Sequence, residues 1–461
     1  MKTDLPVKLS KLLRRLFSPG WLIAGIFLII LGLVVVYLPS IYSLALLAMA
    51  IFLFALFVEP LWVLVILLIL RSSADLYMNV FTLFPGSWYS FNAAGLMNIL
   101  AFGTGLLFLV RRFARGQRLL PSAPVTWLGI FLLAGALSIP TSIDFGASVK
   151  TWVRTAGFLG IALLTIEAAQ DEKARRKVIQ VIAIASLAPL IVGFYQVVTR
   201  TGYLFPGFSD TPFEYRPQGT FAHPAILALF LMLVICLSLV AFIEKYPIWP
   251  RWIYLGLAAV CLVLMVLTYA RTEWIGAMAA FSIIGLLRYR RLFLIGVVVG
   301  LFLIFAVPAV QSRLKGEMAT DSFEWRLKVW NASLTILKNP TLIGSGLDTS
   351  PILVNNVLVN VIAPPHNEYF RTMIETGIIG FLVFLLLQAA LLYQGWIAFS
   401  TSLSKSTKVL GLTLLAVTVG GMIISLSDNY FDYVAPQWFN WTIVGLLAVS
   451  IEDKFGKKAN E

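Results

Sequence analysis

Long apolar stretches follow one another along most of this 461-residue chain. Many of them are roughly 17–25 residues long, and a helix of that length crosses the ~30 Å hydrocarbon layer of a bilayer. The composition agrees, because 59% of the residues are hydrophobic and only 12% are charged, whereas about a quarter of the residues in soluble domains are charged. The sequence therefore predicts an all-α polytopic membrane protein that forms a single integral membrane domain over residues 1–461.

We predict twelve to fourteen transmembrane helices, because two of the fourteen apolar stretches are short or polar at one end. Lys and Arg precede the first stretch, as in a signal peptide, but no clear small-residue cleavage site follows it, so a first transmembrane helix is the better interpretation. The predicted spans are 21–38, 41–58, 61–70, 91–110, 123–139, 152–169, 178–198, 221–243, 252–270, 273–288, 292–310, 370–397, 409–426 and 438–451.

The distribution of basic residues predicts the orientation, because cytoplasmic loops carry an excess of Lys and Arg. If the N-terminus is cytoplasmic and the spans alternate, most of the 35 Lys and Arg residues fall on the cytoplasmic side, including Arg111, Arg112 and Arg175–Lys177. Both termini are then cytoplasmic. The same bias, with contacts to anionic membrane lipids, accounts for the net charge of +13, so we predict no nucleic-acid partner.

Three polar segments are predicted on the opposite, extracytoplasmic side of the membrane. They are residues 199–222, the short connection 269–273 and the long hydrophilic loop 311–368. The charge bias alone assigns all three to one side.

The long loop 311–368 is predicted to contain an amphipathic helix. Asp321 with Glu324 three residues later resembles a capping box, and Pro340 ends the pattern. We expect this helix to rest at the outer membrane interface with Trp325 and Trp330. Apolar residues recur after Asp321 at the spacing of one helical face, namely Phe323, Leu327, Trp330, Leu334 and Leu337.

His366, at the end of the long loop, is the candidate catalytic base, and it is one of only two histidines in the chain. A neutral imidazole can accept a proton from a sugar hydroxyl at physiological pH; a capping or packing role is the alternative. Asn367 and Glu368 follow it directly and are candidate substrate contacts. Glu368 and Glu375 share a helix face, where we expect orienting roles, with Arg371 as the partner of Glu375.

Three arginines at the outer ends of spans are candidate ligands for phosphate, because a guanidinium donates several hydrogen bonds to an oxyanion. Arg271 lies between two spans with almost no loop; its alternatives are interfacial snorkelling or an ion pair with Glu273. Arg216 is a second candidate, and a pair with a loop carboxylate such as Glu214 is its alternative. Arg154 is the third.

The remaining polar residues predict little further chemistry. His223 is interpreted as a packing or substrate-lining residue, while Asp428 and Asp432 could bind a cation or a sugar hydroxyl but lack a third ligand. Cys236 and Cys261 both lie in apolar stretches, so neither a disulfide nor a metal site is predicted. No phosphate-binding or dinucleotide motif is present, and we predict no cofactor.

Four segments together resemble the O-antigen ligase and O-antigen polymerase superfamily of bacterial membrane glycosyltransferases. Residues 216–224 are similar to a Gly-Thr-Phe-x-Asn-Pro motif, with His223 at the Asn position. Residues 268–272 are similar to a Ser-Arg-Gly turn, with Ala270 and Thr272 around Arg271. Residues 326–346 match Arg-x-x-x-Trp, Asn-Pro and Gly-x-Gly in order, and residues 366–380 match His-Asn-x-Tyr/Phe followed by Glu-x-Gly-x-x-Gly.

The resemblance implies a C-type glycosyltransferase fold in the bacterial inner membrane, with the site on the periplasmic or extracellular side. It implies an undecaprenyl-diphosphate-linked glycan donor and a glycan or lipid-linked acceptor. His366 would then activate the acceptor hydroxyl, and Arg271 and Arg216 would hold the diphosphate in an inverting, metal-independent transfer. Ligase and polymerase activities both remain open. A transporter or flippase for an anionic or lipid-linked substrate is the alternative, since its cavity would use similar residues.

Overall fold

The computed structural model describes residues 59–80, 82–84, 91–204, 214–291, 294, 317–402 and 404–458. The predicted spans 21–38 and 41–58, and nearly all of 292–310, lie outside these residues. The chain forms two compact units, Met1–Leu64 and Val65–Glu461, and every candidate site residue lies in the second. The single membrane domain over the whole chain stays a prediction.

The described residues are mostly helical. Two short antiparallel β-ribbons interrupt the helices, β1 (Thr82–Phe84) with β2 (Phe91–Asn92), and β3 (Tyr203–Leu204) with β4 (Tyr215–Arg216). A single 3-10 turn, Tyr430–Asp432, precedes the last helix. In chain order the helices are α1 (Pro60–Ser73), α2 (Asp75–Val80), α3 (Ala93–Ala114), α4 (Ala123–Ser138), α5 (Phe145–Ala168), α6 (Glu172–Ile184), α7 (Leu187–Thr199), α8 (Pro224–Ile243), α9 (Arg251–Leu267), α10 (Arg271–Arg288), α11 (Glu317–Ile336), α12 (Ser350–Val357), α13 (Glu368–Thr401), α14 (Lys405–Ile424) and α15 (Val434–Lys458).

Within the described ranges, six helical segments are long and apolar enough to cross a membrane, and three shorter apolar helices accompany them. The predicted all-α polytopic membrane protein is thus confirmed. The predicted span 178–198 is not one straight helix, because α6 and α7 meet at Ala185 and Ser186. Pro189 explains this break, since proline has no N–H for the carbonyl four residues earlier and its ring clashes with it.

The bundle packs closely where small residues face each other. The best example is α3 against α5, where a Cβ on Gly160 would lie only 1.8 Å from the Ala101 carbonyl oxygen. Such contacts let helix backbones approach in membrane proteins. Around α8 the core is continuous, and Phe230 packs on Phe439 of α15 with ring centroids 4.9 Å apart. These contacts hold the helices that carry the site residues in fixed positions.

Acidic side chains at one end of the bundle pair with the basic residues that were predicted to be cytoplasmic. Arg288 Nε donates to Glu244 Oε1 at 2.6 Å, joining the C-terminal ends of α10 and α8. Glu167 at the C-terminal end of α5 lies 3.7 Å from Arg112 of α3. The candidate site residues His223 and Arg271 lie at the opposite, N-terminal ends of α8 and α10. The separation of the two groups agrees with the predicted charge bias, while the side that faces the cytoplasm stays a prediction.

The long loop contains the predicted helix, α11, but its start was predicted wrongly. The helix begins at Glu317, so Asp321 lies inside it and does not cap it. Val329 and Ala332 form the inward face and pack on Val354 of α12, whereas Leu327 and Leu334 of the predicted apolar stripe are exposed. The exposed stripe is available for the membrane interface, and that placement stays a prediction.

Candidate active site

Helix α13, which begins just after His366, is interrupted at Gly377. Gly377 inside this helix has φ 69° and ψ −171°, which is not helical. Residues of the preceding loop bond to the interrupted backbone: Ser345 N–H donates to the Ile374 carbonyl at 3.1 Å, and Ile378 N–H donates to the Thr341 carbonyl at 3.0 Å. Non-helical backbone at membrane depth needs such protein partners. The loop around Gly344 therefore fixes the position of the first half of α13.

Replacing Gly377 by alanine is expected to disrupt this connection. The added Cβ would lie 2.4 Å from the Leu342 carbonyl oxygen, and the φ of 69° with ψ of −171° is a conformation that essentially only glycine adopts, at a cost of about 1–3 kcal/mol for other residues. We expect Gly377→Ala to lower the yield of monodisperse protein and its thermal stability. Gly256→Ala is the matched control, because a Cβ on Gly256 meets nothing within 4 Å. Equal stability of the two variants would contradict the assigned role of the break.

A buried charge network occupies the first two turns of α13. The Arg371 guanidinium lies 2.5 Å from Glu368 Oε1, 2.8 Å from Asp432 Oδ1 and 3.6 Å from Glu375 Oε2. The expected pairing of Arg371 with Glu375 is thus present. Glu368 also accepts a hydrogen bond from the Phe431 N–H at 3.1 Å, and Arg154 pairs with Asp432 at 2.5 Å. Because buried charges need such partners, this network holds α13, α5 and the 3-10 turn together.

The side chains of Glu368 and Asn367, two predicted substrate contacts, already bond to other groups of the protein. Glu368 is buried within the Arg371 network. Asn367 caps α13, with its Oδ1 accepting hydrogen bonds from the Tyr369 and Phe370 N–H groups, and its Nδ2 donates to the Leu426 carbonyl at 2.9 Å. The structure assigns both side chains to positioning the residue that precedes them, and a direct substrate contact stays a prediction.

His366 lies directly before this cap in a left-handed conformation, with φ 46°. Its Nδ1 lies 3.6 Å from Asp428 Oδ1, and its side chain is 29% exposed. The indole of Trp325 meets the imidazole edge-on, with ring centroids 5.3 Å apart. Positive φ is uncommon for residues other than glycine and is often found where the surroundings hold a functional side chain. Nε2, on the far side of the ring from Asp428, is therefore the atom suited to accept a proton.

Asp428 is fixed from several sides. Tyr433 Oη donates to its Oδ2 at 2.8 Å, and the Asn429 N–H donates to its Oδ1 at 2.8 Å. Burial alone would raise the pKa of Asp428, but interactions with His366, Tyr433 and the Asn429 N–H outweigh burial and hold that pKa below its usual value. The carboxylate is thus ionised at neutral pH and can stabilise the imidazolium that forms when His366 accepts a proton.

The segment that carries Arg216 is clamped by hydrogen bonds. Gln196 Oε1 accepts from the Gln218 and Gly219 N–H groups at 3.0 and 2.8 Å. Arg216 itself is only 4% exposed, and its Nε donates to the Thr268 carbonyl at 2.8 Å. Arg216 therefore fixes the turn that leads to Arg271, and its charge also acts on Arg271. Its predicted contact with substrate phosphate stays a prediction.

Arg271 is the first residue of α10 and follows a connection of only three residues, as expected from the sequence. It is half-buried. Its guanidinium lies close enough to Arg326 of α11 for the two positive charges to repel each other. Two guanidinium groups whose charges repel each other create a positive potential that favours a nearby anion. The long loop thus contributes a second arginine, Arg326, beside Arg271, which the sequence predicted as a phosphate ligand.

His223 joins the same region as the capping residue of α8. Its Nδ1 accepts a hydrogen bond from the Ala225 N–H at 3.2 Å, and its ring meets Tyr203 edge-on at 4.7 Å between centroids. Burial, with the nearby charge of Arg216, lowers the pKa of His223 to about 4. His223 is therefore neutral at physiological pH, in agreement with a packing residue, and its role in lining the substrate stays a prediction.

The structure brings the three predicted polar segments together in one place. His366 contacts Asp428, and the buried carboxyl group of Glu273 interacts with both Asp428 and Arg216. The charge of Arg216 acts in turn on Arg271. Ser427 beside Asp428 also donates to Thr272 Oγ1 at 3.3 Å. Arg154 is separate, since its partner is Asp432. In the described residues, no group of three or more His, Cys, Asp or Glu is placed to hold a metal ion.

Sequence reasoning missed Arg326 and the pairing of Asp428 with His366. Arg326 stood out only as the first residue of the Arg-x-x-x-Trp pattern, and Asp428 only as an acid in the last polar loop. His366 and Asp428 are 62 positions apart in the sequence, so no local pattern indicates their contact. A polar side chain in a short loop between apolar helices was the one signal that could have indicated Asp428.

These features define a polytopic membrane protein whose polar residues converge on one histidine–carboxylate pair and neighbouring arginines. Residues 256–385 match the family model described as O-antigen ligase. The match covers Arg271, α11 and His366, and it extends through the break at Gly377. This part of the chain is therefore similar to O-antigen ligases, which confirms the resemblance to the ligase and polymerase family. No curated protein matches the chain.

Proposed function

We propose that this protein transfers a glycan from an undecaprenyl-diphosphate-linked donor to an acceptor hydroxyl on the outer face of the bacterial cytoplasmic membrane. The O-antigen ligase domain supports a role in polysaccharide biosynthesis. One observation carries the finer proposal: the His366–Asp428 pair is linked through Glu273 to Arg216, whose charge acts on Arg271, and Arg326 acts on Arg271 in turn. A base and an anion-binding group side by side are what transfer from a diphosphate ester requires.

In the proposed reaction, His366 Nε2 accepts the proton of the acceptor hydroxyl as its oxygen attacks the anomeric carbon of the donor. The bond from that carbon to the diphosphate oxygen breaks, and the diphosphate leaves with the electron pair. Attack from the face opposite the leaving group inverts the configuration. Asp428 stabilises the imidazolium, and Arg271 with Arg326 stabilises the growing negative charge on the diphosphate.

Fixed guanidinium groups can supply this stabilisation themselves, so we propose a transfer that does not depend on a metal ion. Arginine binds phosphate oxygens in a fixed geometry and stays charged throughout. The acceptor decides between ligase and polymerase: a ligase transfers to an end acceptor, and a polymerase transfers to another lipid-linked repeat. Active-site residues of the kind assigned here serve either reaction.

Reconstituted protein with a lipid-linked glycan donor and an acceptor glycan is expected to release undecaprenyl diphosphate at an undiminished rate in EDTA. Release and the elongated product are measured together by chromatography and mass spectrometry. Loss of turnover on chelation, restored by added divalent cation, would remove the metal-independent mechanism. Movement of the labelled lipid across the bilayer without transfer would indicate a transporter or flippase instead. Chain growth from the donor alone would assign a polymerase.

A further inference from the structure

Three arginines surround a single carboxylate where α3 and α5 end, and the proposed transfer uses none of them. Glu167 Oε1 lies 3.7 Å from Arg112 Nη1, and Glu167 Oε2 lies 3.8 Å from Nη1 of both Arg111 and Arg115. These separations are longer than the roughly 2.7–3.2 Å of a hydrogen bond. One carboxylate thus lies among three guanidinium groups at ion-pair distance.

Arg111 and Arg115 keep hydrogen-bond donors that a ligand can reach. Their side chains are 29% and 46% exposed, and neither donates a hydrogen bond to a residue in the described ranges. Arg112 differs, because it is buried and its Nε donates to the Arg118 carbonyl at 2.7 Å. A guanidinium presents its N–H groups as a planar fork that fits the oxygens of a phosphate. The two outer arginines therefore suit such a ligand.

Acidic residues do not balance the positive charge at this end of the bundle. Residues 111–122 contain four arginines and no acid, residues 167–177 contain four basic and three acidic residues, and α15 ends with two acids and three lysines. Of the acids, Asp171 caps α6 and Glu172 pairs with Arg176 at 3.2 Å. The C-terminal dipoles of α3 and α5 add only about half a negative charge each. The remaining excess favours an anion.

The arginines lie where the apolar surface of α3 ends. Both α3 and α5 are long and apolar enough to cross a membrane, and Arg111 and Arg112 belong to the last turn of α3. In the same part of the helix, Val110 and Phe113 are 66% and 76% exposed. Exposed apolar side chains on a membrane-crossing helix face acyl chains, and basic residues at the end of such a helix meet the headgroups.

We infer that Arg111 and Arg115 form a discrete binding site for the phosphate headgroup of an anionic phospholipid. A phosphate beside both guanidinium groups would supply the acceptors that their N–H groups lack and offset the excess charge around Glu167. The acyl chains would cover the exposed apolar residues next to them, which a free phosphate ion cannot do. This inference goes beyond the proposed function and does not depend on it.

Titration of the purified full chain in detergent with defined lipids tests the inference by native mass spectrometry. Phosphatidylglycerol is the anionic probe, and phosphatidylcholine with identical acyl chains is the matched neutral probe. We expect the first phosphatidylglycerol to bind about 10-fold more tightly than phosphatidylcholine, a difference of about 1.4 kcal/mol. Inorganic phosphate at the same concentration is expected to leave the bound lipid in place. Displacement of phosphatidylglycerol by inorganic phosphate would overturn the assignment to a lipid.

The pair Arg111→Gln with Arg115→Gln assigns the binding to these two side chains. It is expected to remove most of the preference for phosphatidylglycerol, because each basic residue near a membrane surface contributes about 1 kcal/mol to the attraction of anionic lipid. Arg112 stays in place, so Glu167 is not left as an unpaired buried charge. Arg115→Gln alone, which removes only the more exposed guanidinium, is expected to remove part of the preference.

Arg290→Gln with Arg291→Gln is the matched control. Both arginines are exposed and follow the end of α10, so the control loses the same charge from another basic segment and is expected to keep the preference. Equal binding of the two lipids to the wild type would overturn the inference, and so would an unchanged preference without Arg111 and Arg115. An equal loss in the control would overturn it too, because attraction to the total charge would then explain the binding without a discrete site.

Discussion

His366→Ala is expected to abolish glycan transfer while the donor still binds. A positioned general base typically contributes roughly 10²–10⁴-fold to a rate, and His366 is the one histidine of the described region that meets an ionised carboxylate. The side chain lies at the loop end and carries none of the hydrogen bonds of the Asn367 cap, so α13 should begin as in the wild type. Single-turnover transfer and equilibrium binding of the lipid-linked donor are the two measurements.

Asp428→Asn tests whether the carboxylate acts through the histidine. We expect it to slow transfer less than His366→Ala does, and to add little when combined with His366→Ala, because residues that act as a unit are not additive. Asp171→Asn is the matched control: Asp171 caps α6, and asparagine is an equally good cap. A combined variant that is slower than His366→Ala by the full Asp428→Asn factor would show that Asp428 acts independently.

The spans and the grouping of the polar segments on one side of the membrane could be predicted because both follow from local sequence properties. Apolar length predicts a span, and the charge bias predicts which loops share a side. The pairing of Arg371 with Glu375 was likewise within reach, since residues four apart on a helix are neighbours. Each of these predictions needs only the residues within a few turns of one helix, or the number of charged residues in each loop.

The features that could not be predicted depend on contacts between segments that are distant in the sequence. Asp428 reaches His366 because the start of α13 is bonded to the segment after α14, where Asn367 donates to the Leu426 carbonyl and the Glu368 N–H donates to the Ser425 carbonyl. The Gly377 break could not be predicted either, because its reason is the close approach of the Leu342 carbonyl from another loop. The early start of α11 at Glu317 shows that a capping pattern at Asp321 can occur inside a helix, where local propensity is only a weak guide.

Arg271→Ala and Arg326→Ala are each expected to weaken donor binding by roughly 10- to 100-fold, because hydrogen bonds to charged groups typically contribute about 1.5–3 kcal/mol. The two arginines come from different segments and their charges repel each other, and the donor diphosphate would relieve that repulsion. Transfer should fall further than binding, since negative charge on the diphosphate grows as the glycosidic bond breaks. Donor affinity and single-turnover rates of both variants measure the two effects separately.

Arg200→Ala is the matched control for general electrostatics. Arg200 is exposed and ends α7, so its loss removes one positive charge that the proposed diphosphate site does not use. If Arg271 and Arg326 hold the same diphosphate, the double variant should lose less affinity than the sum of the single losses, because removing either one also removes the repulsion that the ligand relieves. Strictly additive losses would mean that the two arginines bind different groups. Wild-type affinity in both single variants would mean that the diphosphate binds elsewhere, and His366 would then have no leaving group beside it.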